Sequence, residues 1–99
     1  MPIAYIQEFD GDGDDRSTTN YDAVKERLNV DTDPPAGLIV HTAGFDGAVF
    51  RIFDVWETEE QQVRFRDERL APIIRDLMSS GAAPPAREYT YALHDVVKG

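Results

Sequence analysis

No cysteine occurs among these 99 residues, which removes disulfide frameworks, thiolate nucleophiles, iron–sulfur clusters and Cys-ligated zinc at once. Packing and polar pairing must hold the chain together. Basic residues are scarce beside acidic ones. Ten Lys plus Arg against 19 Asp plus Glu leave a net charge of -9, which repels nucleic-acid phosphates and anionic membrane surfaces. Neither is expected as a partner. Long apolar runs are missing too, and the opening Met1-Pro2-Ile3-Ala4-Tyr5-Ile6 has no basic stretch. Neither a secretory leader nor a membrane span is therefore predicted, and a cytoplasmic location is expected.

What is present suits a folded chain. A hydrophobic content of 41% is ordinary for globular proteins, and a chain this short has room for one core, so residues 1–99 are read as one domain. Ile3 to Phe9 reads as a first strand, ended by the turn-forming, self-repelling Asp10-Gly11-Asp12-Gly13-Asp14-Asp15. Thr18 and Thr19 can cap a short helix in which Tyr21, Val24 and Leu28 share one face, and Asp31-Thr32-Asp33-Pro34-Pro35 ends it.

Leu38 to Phe45 and Ala48 to Trp56 are β-rich runs flanking Asp46-Gly47, a strong hairpin signal. Thr58-Glu59-Glu60-Gln61 has capping-box spacing and opens a second helix with Val63, Leu70, Ile73, Ile74 and Leu77 as its apolar stripe. Pro72 should bend that helix and Ser79-Ser80-Gly81 should stop it. Glu88 to Val97 reads as a last strand. The order is β-α-β-β-α-β, an α+β arrangement with both helices on one face of a four-stranded antiparallel sheet. Strand three is apolar on both faces, with Phe50, Ile52 and Trp56 on one and Val49, Phe53 and Val55 on the other. A second copy of the chain is the simplest cover for the face without helices, so a homodimer is expected.

The stretch Phe53-Asp54-Val55-Trp56-Glu57-Thr58-Glu59-Glu60, running into Phe65, Leu70, Ala71 and Pro72, resembles the dimeric α+β barrel superfamily, especially its antibiotic-biosynthesis-monooxygenase-like domains. The resemblance implies a ferredoxin-like fold, sheets face to face in a dimer, and a ligand cavity between each sheet and its helices. Members include cofactor-free oxygenases of aromatic polyketides, haem degraders, cyclases and isomerases, and many with no known activity. The oxygenases would have an Asn four residues before the Trp and a Tyr six after it, where this chain has Ile52 and Gln62. Haem degraders would have a helix-borne His, and the second helix here has none.

Chemistry rests on few groups. His41 in strand two and His94 in strand four can exchange protons near neutral pH, or serve as hydrogen-bonded sheet or interface residues. Asp54 and Arg51 sit mid-strand among apolar neighbours and, being three apart, point to opposite faces; Asp54 is a tuned base or the partner of an arginine, and Gln7 and Glu8 raise the same alternatives. Trp56, Tyr5, Tyr89, Tyr91, Phe50 and Phe53 can line a pocket for a small apolar or aromatic molecule, or simply fill the core. The expected catalytic set is His41, Tyr91 and Asp54, and the expected ligand-binding set is Tyr5, Phe53, Trp56, Tyr89 and His94, with no cofactor and no metal. The leading expectation is cofactor-independent proton transfer or oxidation of an aromatic or polyketide-like compound. The alternative is a non-catalytic dimeric binding or accessory module. Asp10, Asp12 and Asp14 begin like a calcium loop, but Asp15 and Tyr21 stand where an EF-hand needs Gly and Glu. Arg64, Arg66 and Arg69 are interspersed with Asp67 and Glu68 and read as a paired helix surface.

Overall fold

The computed structural model describes residues 1–10, 19–77 and 85–98 and realises the expected order. Strand β1 (Ile3–Asp10) leads to α1 (Thr19–Leu28), then to β2 (Leu38–Asp46) and β3 (Val49–Trp56), a second helical run, and β4 (Arg87–Ala92). The strands form one antiparallel sheet in the order β2-β3-β1-β4, the arrangement of a ferredoxin-like α+β fold.

Local chemistry accounts for the boundaries. Asn29 ends α1 in a left-handed conformation, φ 55°, with its N–H on the Lys25 carbonyl at 3.1 Å. The hairpin turn sits one residue later than expected. Asp46 pairs with Val49, so the loop is Gly47-Ala48, and of these only Gly47 has positive φ, 60°, the pattern of a type II′ turn.

Thr58 caps α2 (Glu59–Phe65), its hydroxyl accepting from the Gln61 N–H at 3.2 Å. The hydroxyl also donates to Gln61 Oε1 at 3.1 Å, so the glutamine side chain meets the threonine hydroxyl in this capping box. Pro72 acts on the turn before it. Having no N–H, it cannot bond the Glu68 carbonyl, and its ring crowds that oxygen. The chain widens into a π-helical turn over Arg66–Leu70, closed by the Ala71 N–H on the Arg66 carbonyl, and then resumes as α3 (Ala71–Leu77). Arg69 reaches back to the carbonyls of Leu28 at 2.9 Å and Asp33 at 3.0 Å, and Arg27 pairs with Asp76 at 2.9 Å. These ties fix the C-terminal end of α1 against the second helical run. The stop expected at Ser79-Ser80-Gly81 and the loop expected over residues 11–15 lie outside the described residues.

The last strand is shorter than the expected Glu88 to Val97, because its partner runs out. Ile3 pairs with Ala92, and the Leu93 N–H closes on the Pro2 carbonyl at 2.8 Å. Pro2 has no N–H with which to continue the ladder. His94 therefore falls outside β4, in an exposed bend.

The helix-covered face holds the core, formed by Ile3, Tyr5 and Trp56 with Leu38 and Phe65 packed against them. Trp56 is 1% exposed and its ring lies 5.4 Å from that of Phe65. On the opposite face an ion-pair ladder crosses all four strands. Buried Glu8 accepts from Arg51 Nε at 2.7 Å and Arg87 Nε at 2.5 Å. Arg51 also reaches Asp46 at 3.2 Å, and Arg87 reaches Asp10 at 2.6 Å. The bonds from Arg87 and then Arg51 hold the Glu8 carboxyl below its ordinary value, and Arg87 does the same for Asp10.

Two predictions follow from these contacts. A Cβ at Gly37, where φ is 90°, would lie 2.2 Å from Gln61 Oε1 and 2.9 Å from Gln61 Cβ. Gly37→Ala is therefore expected to cost about 1–3 kcal/mol in urea unfolding, while Gly44→Ala, with open space at its Cβ, should stay within about 0.5 kcal/mol. Carboxyls that titrate lower in the folded than the unfolded state contribute stability above their unfolded values, and lose it as pH falls through the folded ones. Glu8→Gln should lower the urea midpoint at neutral pH and flatten the acid limb of the stability profile. An unchanged limb would contradict the ladder.

Candidate functional site

Antiparallel register places Thr90, Tyr5, Asp54 and His41 in one row across the sheet, since each is the direct partner of the next. This row lies on the side that the helices cover, the same side as Trp56 and Phe50. Within it, His41 Nδ1 is 2.6 Å from Asp54 Oδ1, and His41 Nε2 is 2.6 Å from the Tyr21 hydroxyl. Asp54 comes from β3, His41 from β2 and Tyr21 from the first turns of α1. The three side chains form one hydrogen-bonded series running from the buried sheet to the half-buried helix.

Packing fixes the series in place. The Tyr21 ring stacks on the His41 ring with centroids 6.1 Å apart and planes 10° from parallel, and meets Phe50 edge-on at 5.4 Å. Phe50 in turn contacts Phe45 at 5.0 Å. The Asp54 side chain is 11% exposed and that of His41 28%, so the carboxylate is shielded while the imidazole retains access. Asp54 accepts, which assigns the proton of a neutral imidazole to Nδ1 and leaves Nε2 to accept from Tyr21. Burial, followed by the charges of Asp54, Asp22 and Asp31, pushes the Tyr21 phenol above its ordinary value. It is a neutral hydroxyl at physiological pH. The series can therefore hold, orient and pass a proton, with Asp54 stabilising the imidazolium when His41 is charged.

A second phenol lies in the same row. Tyr5 donates to Glu88, whose Oε2 also accepts from Gln7 Nε2 at 3.2 Å. Burial and this bond to Glu88 push the Tyr5 phenol well above its ordinary value. Nearby, the Trp56 indole N–H is buried with no partner among the described residues.

The structure thus joins His41 to Asp54 and sets Tyr5 and Trp56 on the same face, but separates Tyr91 from them. Tyr91 pairs with Ala4, Tyr89 with Ile6, and Phe53 with Ile6 and Thr42, all pointing to the face without helices. Tyr89 and Tyr91 stack there at 6.5 Å, each 47% exposed. The sheet itself stands between Tyr91 and His41, and His94 lies beyond the end of β4. Of the alternatives for Asp54, an arginine partner does not occur among the described residues, where the carboxylate meets His41. Arg51 faces the other way and pairs with Glu8. Tyr21 is the member that helical periodicity alone places on the apolar stripe of α1. The available signal was its hydroxyl, since a tyrosine turned inward needs a polar partner. Asp10 pairs with Arg87, while Asp12 and Asp14 lie outside the described residues. Among the described residues no cluster of three His, Asp or Glu is arranged to hold a metal, and no helix is long and apolar enough to cross a membrane.

No model of a known protein family matches this sequence, and no functionally described protein matches it significantly. Solved structures do match in shape. Rv0793 from Mycobacterium tuberculosis is 16% identical, with a TM-score of 0.69 over 99% of this chain and 100% of that one. A putative antibiotic biosynthesis monooxygenase from Chloroflexus aurantiacus is 11% identical, with a TM-score of 0.64 over 99% and 98% of the two chains. SnoaB, a cofactor-independent oxygenase from Streptomyces nogalater, is 11% identical, with a TM-score of 0.63 and the same coverage. At such identities the likeness carries the fold. This chain has the ferredoxin-like α+β fold of the antibiotic-biosynthesis-monooxygenase-like proteins.

Proposed function

We propose that the protein is a homodimeric cytoplasmic domain that binds a small aromatic or polyketide-like molecule beneath its helices and acts on it by cofactor-independent proton transfer or oxygenation. The observation that carries this reading is the Tyr21–His41–Asp54 series, with two bonds of 2.6 Å leading from a shielded carboxylate to a half-buried phenol. Phe50 beside Tyr21, with Phe45 packed on Phe50, supplies an aromatic wall suited to a planar ligand. The shape likeness to a cofactor-independent oxygenase agrees with chemistry built from side chains alone.

Pairing with a second copy is supported by the face without helices. Tyr89, Tyr91 and Val40 are exposed there beside the ladder centred on Glu8, an apolar patch with a polar border of the kind that self-association covers. A non-catalytic dimeric binding or accessory module is the second reading, favoured by one observation. Trp56 and Phe65 are already packed against each other beneath α2, so at that end of the face the aromatic residues serve the core.

Native mass spectrometry of the purified protein, followed by denaturing release of bound molecules, tests both parts. The expected result is a dimer carrying an aromatic compound, which His41→Gln retains less well. An empty dimer whose stability and spectra ignore added aromatic compounds would favour the accessory module. Sedimentation of Tyr89→Glu with Tyr91→Glu is expected to give a folded monomer, whereas a monomeric wild type at micromolar concentration would remove self-pairing from the proposal.

A further inference from the structure

We propose that Tyr21 is the residue that meets the ligand, and that its bond to His41 makes the site a proton relay selective for acidic hydroxyl groups, phenols or enols, over carbonyl compounds. This rests on the small-molecule reading above and specifies its substrate class.

The argument begins at the buried end. Asp54 can only accept, so the neutral imidazole of His41 carries its proton on Nδ1, within 2.6 Å of that carboxylate. The Nε2 lone pair then faces the Tyr21 oxygen at 2.6 Å. Tyrosine has a single hydroxyl proton, and while His41 is neutral that proton is committed inward. The oxygen of this half-buried residue presents only lone pairs to an incoming molecule. A ketone or quinone carbonyl, itself an acceptor, finds no donor there, whereas the hydroxyl of a phenol or enol does.

The same wiring defines the step. As the ligand O–H bond breaks, its proton forms a new O–H bond on Tyr21. The original Tyr21 proton passes to His41 Nε2, forming an N–H bond and an imidazolium. The electron pair of the broken bond stays on the ligand oxygen, so one neutral ligand and one neutral imidazole become an anion and a cation with no net change in charge. Asp54 offsets the imidazolium and acts as a positioning residue that sets the tautomer. Tyr21 begins and ends as a neutral phenol. That fits its surroundings, because α1 contributes Asp22, the segment after α1 contributes Asp31, and β3 contributes Asp54, and burial with these charges disfavours a phenolate at Tyr21. His41 from β2 and Phe50 from β3 hold the ring, so the transfer requires little rearrangement.

The probe is 4-nitrophenol, whose phenolate and phenol absorb differently. At one pH, dye bound to the wild type is expected to show a phenolate-to-phenol ratio about tenfold above that of free dye. Tyr21→Phe, which keeps the ring, should still bind dye but return the ratio to the free value, as should His41→Gln. An unshifted ratio in bound wild type, or a full shift retained in Tyr21→Phe, would overturn the relay. Failure of the dye to bind would count against the small-molecule reading, and the relay is then judged without ligand, by 15N NMR of the His41 ring. Protonation on Nδ1, with an Nε2 resonance that moves in Tyr21→Phe, is the expected result. A neutral ring protonated on Nε2 would overturn the relay.

Discussion

The pairing of β1 with β3 is the constraint on which the rest depends. It places Tyr5 opposite Asp54 and Glu8 opposite Arg51, and because side chains alternate, these two pairs point to opposite faces. One face receives the helices, the core and the hydrogen-bonded series. The other receives the ion-pair ladder and the exposed tyrosines. A slip of one residue in β3 would turn Asp54 and Trp56 away from α1 and bring Arg51 under the helices, exchanging a paired carboxylate for an uncompensated cation. The apolar content of both strands would tolerate such a slip, but the polar groups would not. They therefore specify the register.

The hairpin between β2 and β3 shows how near the site came to being legible in the sequence. With Asp46-Gly47 as the loop, Phe45 would face Ala48 and His41 would fall opposite Ile52. With Gly47-Ala48 as the loop, Asp46 faces Val49, and counting back along both strands brings His41 opposite Asp54. Both residues are chemically notable in the sequence, and one position in the turn decides whether they meet. Element order, the hairpin, the second helix and its Pro72 distortion could be read because their signals are local. Tyr91 and His94 could not be placed, since the end of β4 is set by Pro2 at the far end of the chain. Tyr21 looked like packing because helical periodicity records which face a side chain takes, and says nothing of what its hydroxyl finds there.

Ionisable groups on the two faces are handled differently. Glu8 is enclosed by two arginines and locked in place, an arrangement that favours a fixed geometry. Asp54 is given a histidine, a partner that can hold or pass a proton. The same sheet thus carries a carboxylate held by two arginines on its open face and one bonded to an imidazole beneath the helices. Arg69 and Arg27 extend the argument outward. By tying α1 to the second helical run, they hold Tyr21 over His41 from outside the site.

The central claim is that Tyr21, His41 and Asp54 act as one unit. A double-mutant cycle in urea unfolding, using Tyr21→Phe and Asp54→Asn, tests it most directly, because the His41 imidazole bonds to both residues. Non-additivity of about 0.5–3 kcal/mol is predicted, since either change alone already breaks the series. Additive losses, within the error of the midpoints, would contradict it and reduce the three residues to separate contacts.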